Sequence, residues 1–267
     1  MPNTRGETPD MPPISCYIRT FNEERMIGRV VEAAYQVARE VVVVDSGSTD
    51  QTRAIAEEKG ARVVEQPWLG NGLQKRVGED ACNHDWLLDL DADEVVTPEL
   101  AASIKALFAE GEPPDLAYHL TLMTVPAFGK PWHDFALANR AKLYDRRRIR
   151  MREHKEWDQL DLPKGFSPNV LEGRLAHYSF SDFEHYVAKR NRVSSARARH
   201  LTLKPRWVLI LRILFGYPVY FARHYFQRGH IKNGVYGFAI AGAAAFGRWM
   251  RDVKMYERYL KDGEARL

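Results

Sequence analysis

Residues 41–44 are four consecutive valines, followed at once by Asp45-Ser46-Gly47-Ser48-Thr49-Asp50. An uninterrupted β-branched run of this length suits a strand buried on both faces, the position of a central strand in a parallel sheet, and the turn-forming cluster after it ends the strand. Upstream, residues 14–19 (ISCYIR) read as another strand, and residues 22–38 place Ile27, Val30, Val31, Ala34 and Val37 at helical spacing. Downstream, the pattern predicts a helix over 52–59 stopped by Gly60, a strand over 61–65, a helix over 72–81 and a strand over 85–90. Strands alternating with helices require a mainly parallel sheet with helices on both faces. Ligands of such sheets bind beyond the carboxyl ends of the strands, and the polar clusters 20–24, 45–50 and 91–94 all fall there.

After Pro98 the pattern is less regular, with a helix expected over 99–109, a strand over 117–124, and an aromatic stretch running to Arg140 where acceptor recognition is expected. A chain of 267 residues accommodates one large α/β domain with an appended segment. Residues 1–12 are polar and proline-rich, without the apolar core of a signal peptide, and read as a loose lead-in to a chain that is not exported. Cys16 and Cys82 lack ligand-spaced partners, which argues against a disulfide framework or a zinc site and for a reducing compartment.

The C-terminal part differs in character. Residues 207–221 and 235–250 are apolar, but Arg212 interrupts the first, Gly and Ala dilute the second, and each falls short of the roughly 20 residues of a membrane-spanning helix. The flanking Arg206, Arg223, His224, Arg228, Lys232, Arg248, Arg251 and Lys254, mixed with Trp207, Tyr217, Tyr220, Tyr225 and Trp249, suit helices lying at a headgroup interface; a buried helical hairpin is the competing reading. From Lys189 to Arg266 basic residues far outnumber acidic ones in a chain of net charge +4, so an anionic partner is expected.

The chemistry concentrates at Leu90-Asp91-Ala92-Asp93-Glu94. At the end of an extended strand, Asp91 and Asp93 would project to one side and could share a hard cation with ligand phosphates. Such a cation, Mg²⁺ or Mn²⁺, would neutralise charge developing on a departing nucleoside diphosphate. Glu94 reads as a supporting group or as a helix-start carboxylate. Asp45, where the valine strand ends, can accept from a base or ribose, or simply open an Asp-Ser-Gly turn. No Gly-x-Gly-x-x-Gly follows the first strand and no Gly-Lys-Ser/Thr loop is present, which argues against a dinucleotide oxidoreductase and a phosphate-loop ATPase.

Four motifs, Thr20-Phe21-Asn22-Glu23-Glu24, residues 43–50 (VVDSGSTD), Gly72-Leu73-Gln74-Lys75 and residues 90–94 (LDADE), stand in the order and spacing that resemble family 2 inverting glycosyltransferases of the GT-A fold. In particular they resemble the bacterial lipopolysaccharide-core β-glycosyltransferase group, as does the later stretch 177–191 with the basic, apolar tail. The resemblance implies a GT-A catalytic domain over 13–182 and a helical, membrane-associating segment over 183–267. It implies that Thr20, Glu23 and Asp45 contact the nucleoside, that Gln74 and Lys75 approach the base or diphosphate, and that Asp91 and Asp93 bind the metal-diphosphate. Two bland alternatives stand beside these: Glu23 as a first-turn helix carboxylate and Lys75 as a solvated helix charge. His177 is either a diphosphate contact or a core histidine. The donor implied is a nucleotide sugar, a UDP-sugar first, and the acceptor a lipid-linked or lipopolysaccharide-type glycan. The enzyme would sit on the cytoplasmic, inner face of the plasma membrane, against an anionic membrane surface and without nucleic acid.

An inverting displacement needs one general base by the acceptor hydroxyl. Members of the group commonly carry a compact Val-His-Glu at this distance from the metal motif, whereas here residues 152–160 read REHKEWDQL. Counting back from Leu160 puts Asp158 at the Glu position, with His154 and Glu156 as contenders. Arg140, Arg146, Arg147 and Arg148 have the guanidinium geometry for a pyrophosphate or an anionic acceptor, or lie in solvent. Two rival functions remain. A nucleotide-sugar-forming nucleotidyltransferase would need a glycine-rich, lysine-bearing loop where 20–24 stands, and a non-catalytic nucleic-acid binder rests on the basic tail alone.

Overall fold

The computed structural model describes residues 11–128, 132 and 137–264, so the predicted lead-in lies, apart from its last two residues, outside the described residues. The chain forms two compact units, Met1–Met123 with Leu137–Ser179, and Thr124–Ala136 with Phe180–Leu267.

In the first unit, β1 (Ile14–Thr20), β2 (Glu40–Asp45), β3 (Arg62–Glu65) and β4 (Trp86–Asp91) lie in the order β3-β2-β1-β4, all parallel. Their apolar runs explain the placement: residues 41–44 are fully covered, as are Ile14, Cys16, Tyr17 and Ile18 of β1 and Leu87, Leu88 and Leu90 of β4. Helices α1 (Ile27–Ala34), α2 (Thr52–Glu58) and α3 (Asn71–Ala81) make the crossovers, and α4 (Pro98–Leu107) follows. Thr97 caps α4, its side chain accepting from the Leu100 N–H, with Pro98 in the first turn.

The rest of the sheet is mostly antiparallel, which strand-helix alternation did not announce. β7 (Ala138–Asp145) pairs with β4 and with β6 (Ala117–Thr124), and β5 (Glu94–Val96) pairs with β9 (Leu175–His177), while the short β8 (Asn169–Val170) runs parallel to β6. The register aligns strand ends: Thr20 opposes Asp45, and Arg19 opposes Asp91. Three polar clusters therefore meet at one edge.

The start of the first helix differs from the periodicity. Helix α1 begins at Ile27, because residues 22–26 form a turn in which Asn22 takes a left-handed φ of 50°. The N–H groups of Asn22, Glu23 and Glu24 donate to Ser48 Oγ, Thr52 Oγ1 and Asp50 Oδ2, locking this turn to the loop after β2. Glu23 therefore stands before the helix rather than in its first turn.

The second unit is helical, with α5 (Phe183–His200), α6 (Arg206–Ala222), a π-turn over Arg223–Gln227 and α7 (Gly234–Glu264). Helix α7 runs well past the apolar stretch ending at Met250, because its polar end also has partners: Lys254 Nζ donates to Asn191 Oδ1, Ser194 Oγ and Ser195 Oγ of α5. Helix α6 buries Leu209, Gly216 and Tyr220 but leaves Trp207, Leu211, Leu214, Phe215 and Val219 exposed, so it is not the fully buried hairpin of the competing reading. Among the described residues, no helix is long and apolar enough to cross a membrane.

Candidate active site

The carboxyl ends of β1 and β4 place Arg19 and Asp91 side by side, and the Arg19 guanidinium donates to Asp91 Oδ1 at 2.9 Å. The same guanidinium reaches Asp158 Oδ2 at 3.3 Å. Lys75, from the second turn of α3, lies beneath: its Nζ is 2.8 Å from Asp89, 3.5 Å from Asp91 and 3.6 Å from Asp158. Lys75 is buried, so it is no solvated helix charge. Two carboxylates 67 residues apart in sequence thus share one pair of cations on the wall of a cleft of about 490 Å³. That size suits a small-molecule site.

The electrostatics have a clear hierarchy. Burial disfavours ionisation of Asp91, but Lys75, Arg19 and Lys142 outweigh it and hold its carboxyl well below the ordinary range. Burial dominates at Glu94, whose carboxyl is raised even though Lys142 Nζ lies 2.7 Å away. Glu94 is thus neither a helix-start carboxylate nor exposed: it is the first residue of β5, it accepts from the Asp91 N–H at 2.9 Å, and it braces the turn between β4 and β5. Asp93 in that turn is held by His177, Nε2 to Oδ2 3.1 Å, and its carbonyl accepts from the Tyr178 N–H. His177 lines the cleft with Asp91, Glu94 and Asp158.

The segment bearing the three base candidates is fixed by the start of α3. The N–H groups of Asn71 and Gly72, unsatisfied within their own helix, donate to the carbonyls of Lys155 and His154 at 2.8 and 2.9 Å. A side chain at Gly72 has no room, since a Cβ there would stand 2.2 Å from the Arg152 carbonyl oxygen. Asp158 and Trp157 line the cleft. His154 turns its Nδ1 to the N–H groups of Glu156 and Trp157, and Glu156 is exposed and outside the cleft lining.

The nucleoside candidates are placed at the neighbouring strand ends. Asp45 is fully buried and accepts from the N–H groups of Gly47 and Ser48 at 2.9 and 2.8 Å, so its carboxylate shapes its own turn. Thr20 lies opposite it with a buried hydroxyl that has no hydrogen-bond partner among the described residues. Gln74 donates to the Gln66 carbonyl and Ser46 Oγ and accepts from the Leu69 N–H, tying the loops after β2 and β3 to α3. Arg140 lines the cleft, whereas Arg146, Arg147 and Arg148 do not. They follow β7 at Asp145, which pairs with Trp86 at the opposite end of β4 from Asp91. There they bind the Glu79 and Cys82 carbonyls, Asp85, Asp145 and Glu112, and the Pro114 carbonyl.

Comparison with known proteins decides the family. The model of glycosyl transferase family 2 matches residues 15–175. The chain belongs to glycosyl transferase family 2. An uncharacterized glycosyltransferase of Rickettsia felis is 32% identical over 94% of this chain and 92% of its own, and one of Rickettsia bellii is 34% identical over 93% and 87%. The lipopolysaccharide core biosynthesis glycosyltransferase LpsC of Rhizobium meliloti is 27% identical over 92% of this chain and 93% of its own. The GT-A-type α/β architecture and the glycosyltransferase class expected from the four motifs are thereby established.

Motif reading passed over Arg19, Asp89 and Lys142. The available signal for Arg19 was its place one residue before Thr20 at a strand end. Basic residues inside strands read as solvent-facing, and only the meeting of β1, β4 and β7 with α3 reveals that Lys142 is buried and Arg19 half-buried against carboxylates.

Proposed function

We propose that this enzyme transfers a sugar from a nucleotide sugar, a UDP-sugar, with inversion, to a lipid-linked or lipopolysaccharide-type glycan on the inner face of the plasma membrane. The observation that supports this reading best is the convergence of Asp91 and Asp158 on Arg19 and Lys75 beside an open cleft. Asp158 is the general base. Of the three candidates it alone combines a carboxylate with a place in the cleft lining, and the two cations fix its orientation while Trp157 offers an aromatic face to a sugar ring. Asp91 and His177 lie on the donor side, and Thr20, Glu23, Asp45 and Gln74 stand at or behind the nucleoside end, Asp45 and Gln74 acting chiefly by shaping its loops.

A divalent cation, Mg²⁺ or Mn²⁺, fits the donor set only in part. Among the described residues no group of three or more His, Cys, Asp or Glu side chains is arranged to hold a metal. Asp91, ionised and facing the cleft, and Asp93, oriented by His177, are suitable oxygen donors, with ligand phosphates supplying the rest. When bound, the cation would neutralise charge on the departing diphosphate. The exposed apolar face of α6 and the basic residues flanking it support peripheral membrane attachment.

The test is sugar transfer with the anomer of the product read by NMR. Wild type is expected to give the inverted anomer, Asp158→Asn to lose transfer by about 10² or more, and Glu156→Gln to keep most of it. Retention of activity by a folded Asp158→Asn variant would remove it as the base. Co-sedimentation with anionic vesicles that weakens with salt is expected for the membrane reading; no sedimentation at low salt would exclude it.

A further inference from the structure

The second unit holds a cluster of charge that the transfer reaction does not use. Arg190 and Arg197 lie seven residues apart on one face of α5, Arg248 and Arg251 lie three apart on α7, and Arg228 follows the π-turn. All five line one small cavity of about 90 Å³, with the buried His224 beside them. Among the described residues, the carboxylate ion-paired with these guanidiniums is Asp252, on Arg251 at 2.6 Å, and Asp252 is also occupied by the Tyr220 hydroxyl. Arg190 donates to the Tyr186 hydroxyl, and Arg248 stacks over the Tyr220 ring while its Nε is buried with no hydrogen-bond partner among the described residues.

This arrangement is unfavourable as it stands. Partial burial and then neighbouring arginines lower the affinity of Arg197 and Arg228 for their protons, and burial followed by Arg228 lowers His224 to about 3, so its ring is neutral and adds no further positive charge. A solvated basic face would spread its charges, but here helices from both ends of the unit converge them. Gly247 makes the convergence possible, since a Cβ there would press on the Arg190 side chain at 3.1 Å.

We propose that this cavity is a binding site for a phosphate-bearing ligand, a phosphomonoester or diphosphate, distinct from the catalytic cleft and independent of the donor reading. Five guanidiniums with one resident carboxylate match an oxyanion of charge two or more, and their planar forks suit phosphate oxygens. A lipid headgroup and a soluble phosphate offer the same chemistry.

The test uses the full chain with chelator present. Inorganic phosphate and pyrophosphate are titrated calorimetrically, and vesicles of phosphatidylcholine with and without phosphatidic acid are sedimented with it. Arg197→Gln/Arg228→Gln removes two partly buried guanidiniums that have no carboxylate partner among the described residues, so the variant is expected to melt no lower than wild type. It is also expected to bind the phosphate probe at least about tenfold more weakly. Arg199→Gln, on α5 but outside the cavity lining, carries the same change of charge type and is expected to bind as wild type does. Binding of pyrophosphate identifies a soluble source, and binding only of phosphatidic acid vesicles identifies a headgroup. No binding of any probe by wild type, or equal weakening by Arg199→Gln, overturns the proposal.

Discussion

Replacing Lys142 by Met removes a single ammonium group from the lining of the candidate cleft. Its Nζ lies 2.7 Å from Glu94 Oε2, 3.8 Å from Asp89 Oδ2 and 4.0 Å from Asp91 Oδ2, and both Lys142 and Glu94 are buried. At an effective dielectric of about 20 the Glu94 contact alone is worth roughly 6 kcal/mol of gross Coulomb attraction. Most of that only offsets desolvation, so the relevant quantity is the consequence of leaving Glu94 without its cation, about 3–5 kcal/mol. Asp89 keeps Lys75 at 2.8 Å and suffers less. The expected fall in Tm is therefore roughly 6–20 °C, at about 2–4 °C per kcal/mol for a domain of this size. A thermal scan at pH 7 measures that shift and urea denaturation the free-energy loss, and Lys142→Met/Glu94→Leu should recover at least about 1–2 kcal/mol by removing the orphaned carboxylate. A loss below about 1 kcal/mol for the single variant, or a double variant no more stable than the single, would show that these charges are not coupled as the geometry requires.

Other outcomes follow from the same structure. Gly72→Ala, which drives a Cβ into the carbonyls of the 152–157 segment, should lower transfer by about tenfold or more while leaving nucleotide affinity within about threefold; steady-state kinetics and calorimetry separate the two. Burial, then Arg228, lowers His224 to about 3 and His230 to about 4, so both are neutral when folded and protonate more readily when unfolded. Their contribution to stability is full above about pH 6.5 and is lost as pH falls towards 4; the melting temperature should drop across that window, and less steeply in His224→Gln. Asp158→Asn and Glu156→Gln should separate by at least about 10² in transfer rate, with unchanged melting temperatures confirming that both are folded.

What could be read in advance depended on whether the signal was local. Residues 14–19 and 41–44 are apolar enough that burial on both faces was their sole outcome, and β1 and β2 appeared there. The helix over 22–38 began late because polar groups from the loop after β2, Ser48, Asp50 and Thr52, claim the N–H groups of 22–24, a contact periodicity cannot register. β5 and β9 are three residues each and pair across some 80 positions, so neither carries a pattern of its own. The Asp-x-Asp motif stood out because Asp91 and Asp93 are close in sequence, and Asp158 was singled out only through the resemblance, by its spacing from Leu160. Arg19 and Lys142 were not, because their role exists only where distant strands bring carboxylates to them. The arginine cavity was visible only as a basic tail, since the meeting of Arg190, Arg228 and Arg248 is a property of helix packing.

The most direct test of the account is calorimetric titration of a panel of nucleoside diphosphates and nucleotide sugars, with Mn²⁺ and with chelator, against wild type and Asp91→Asn/Asp93→Asn. Metal-dependent binding of one nucleotide class, uridine first, is expected, lost in the variant while its melting temperature shows it folded. Absence of binding by folded wild type, or binding indifferent to metal and to the variant, would contradict it.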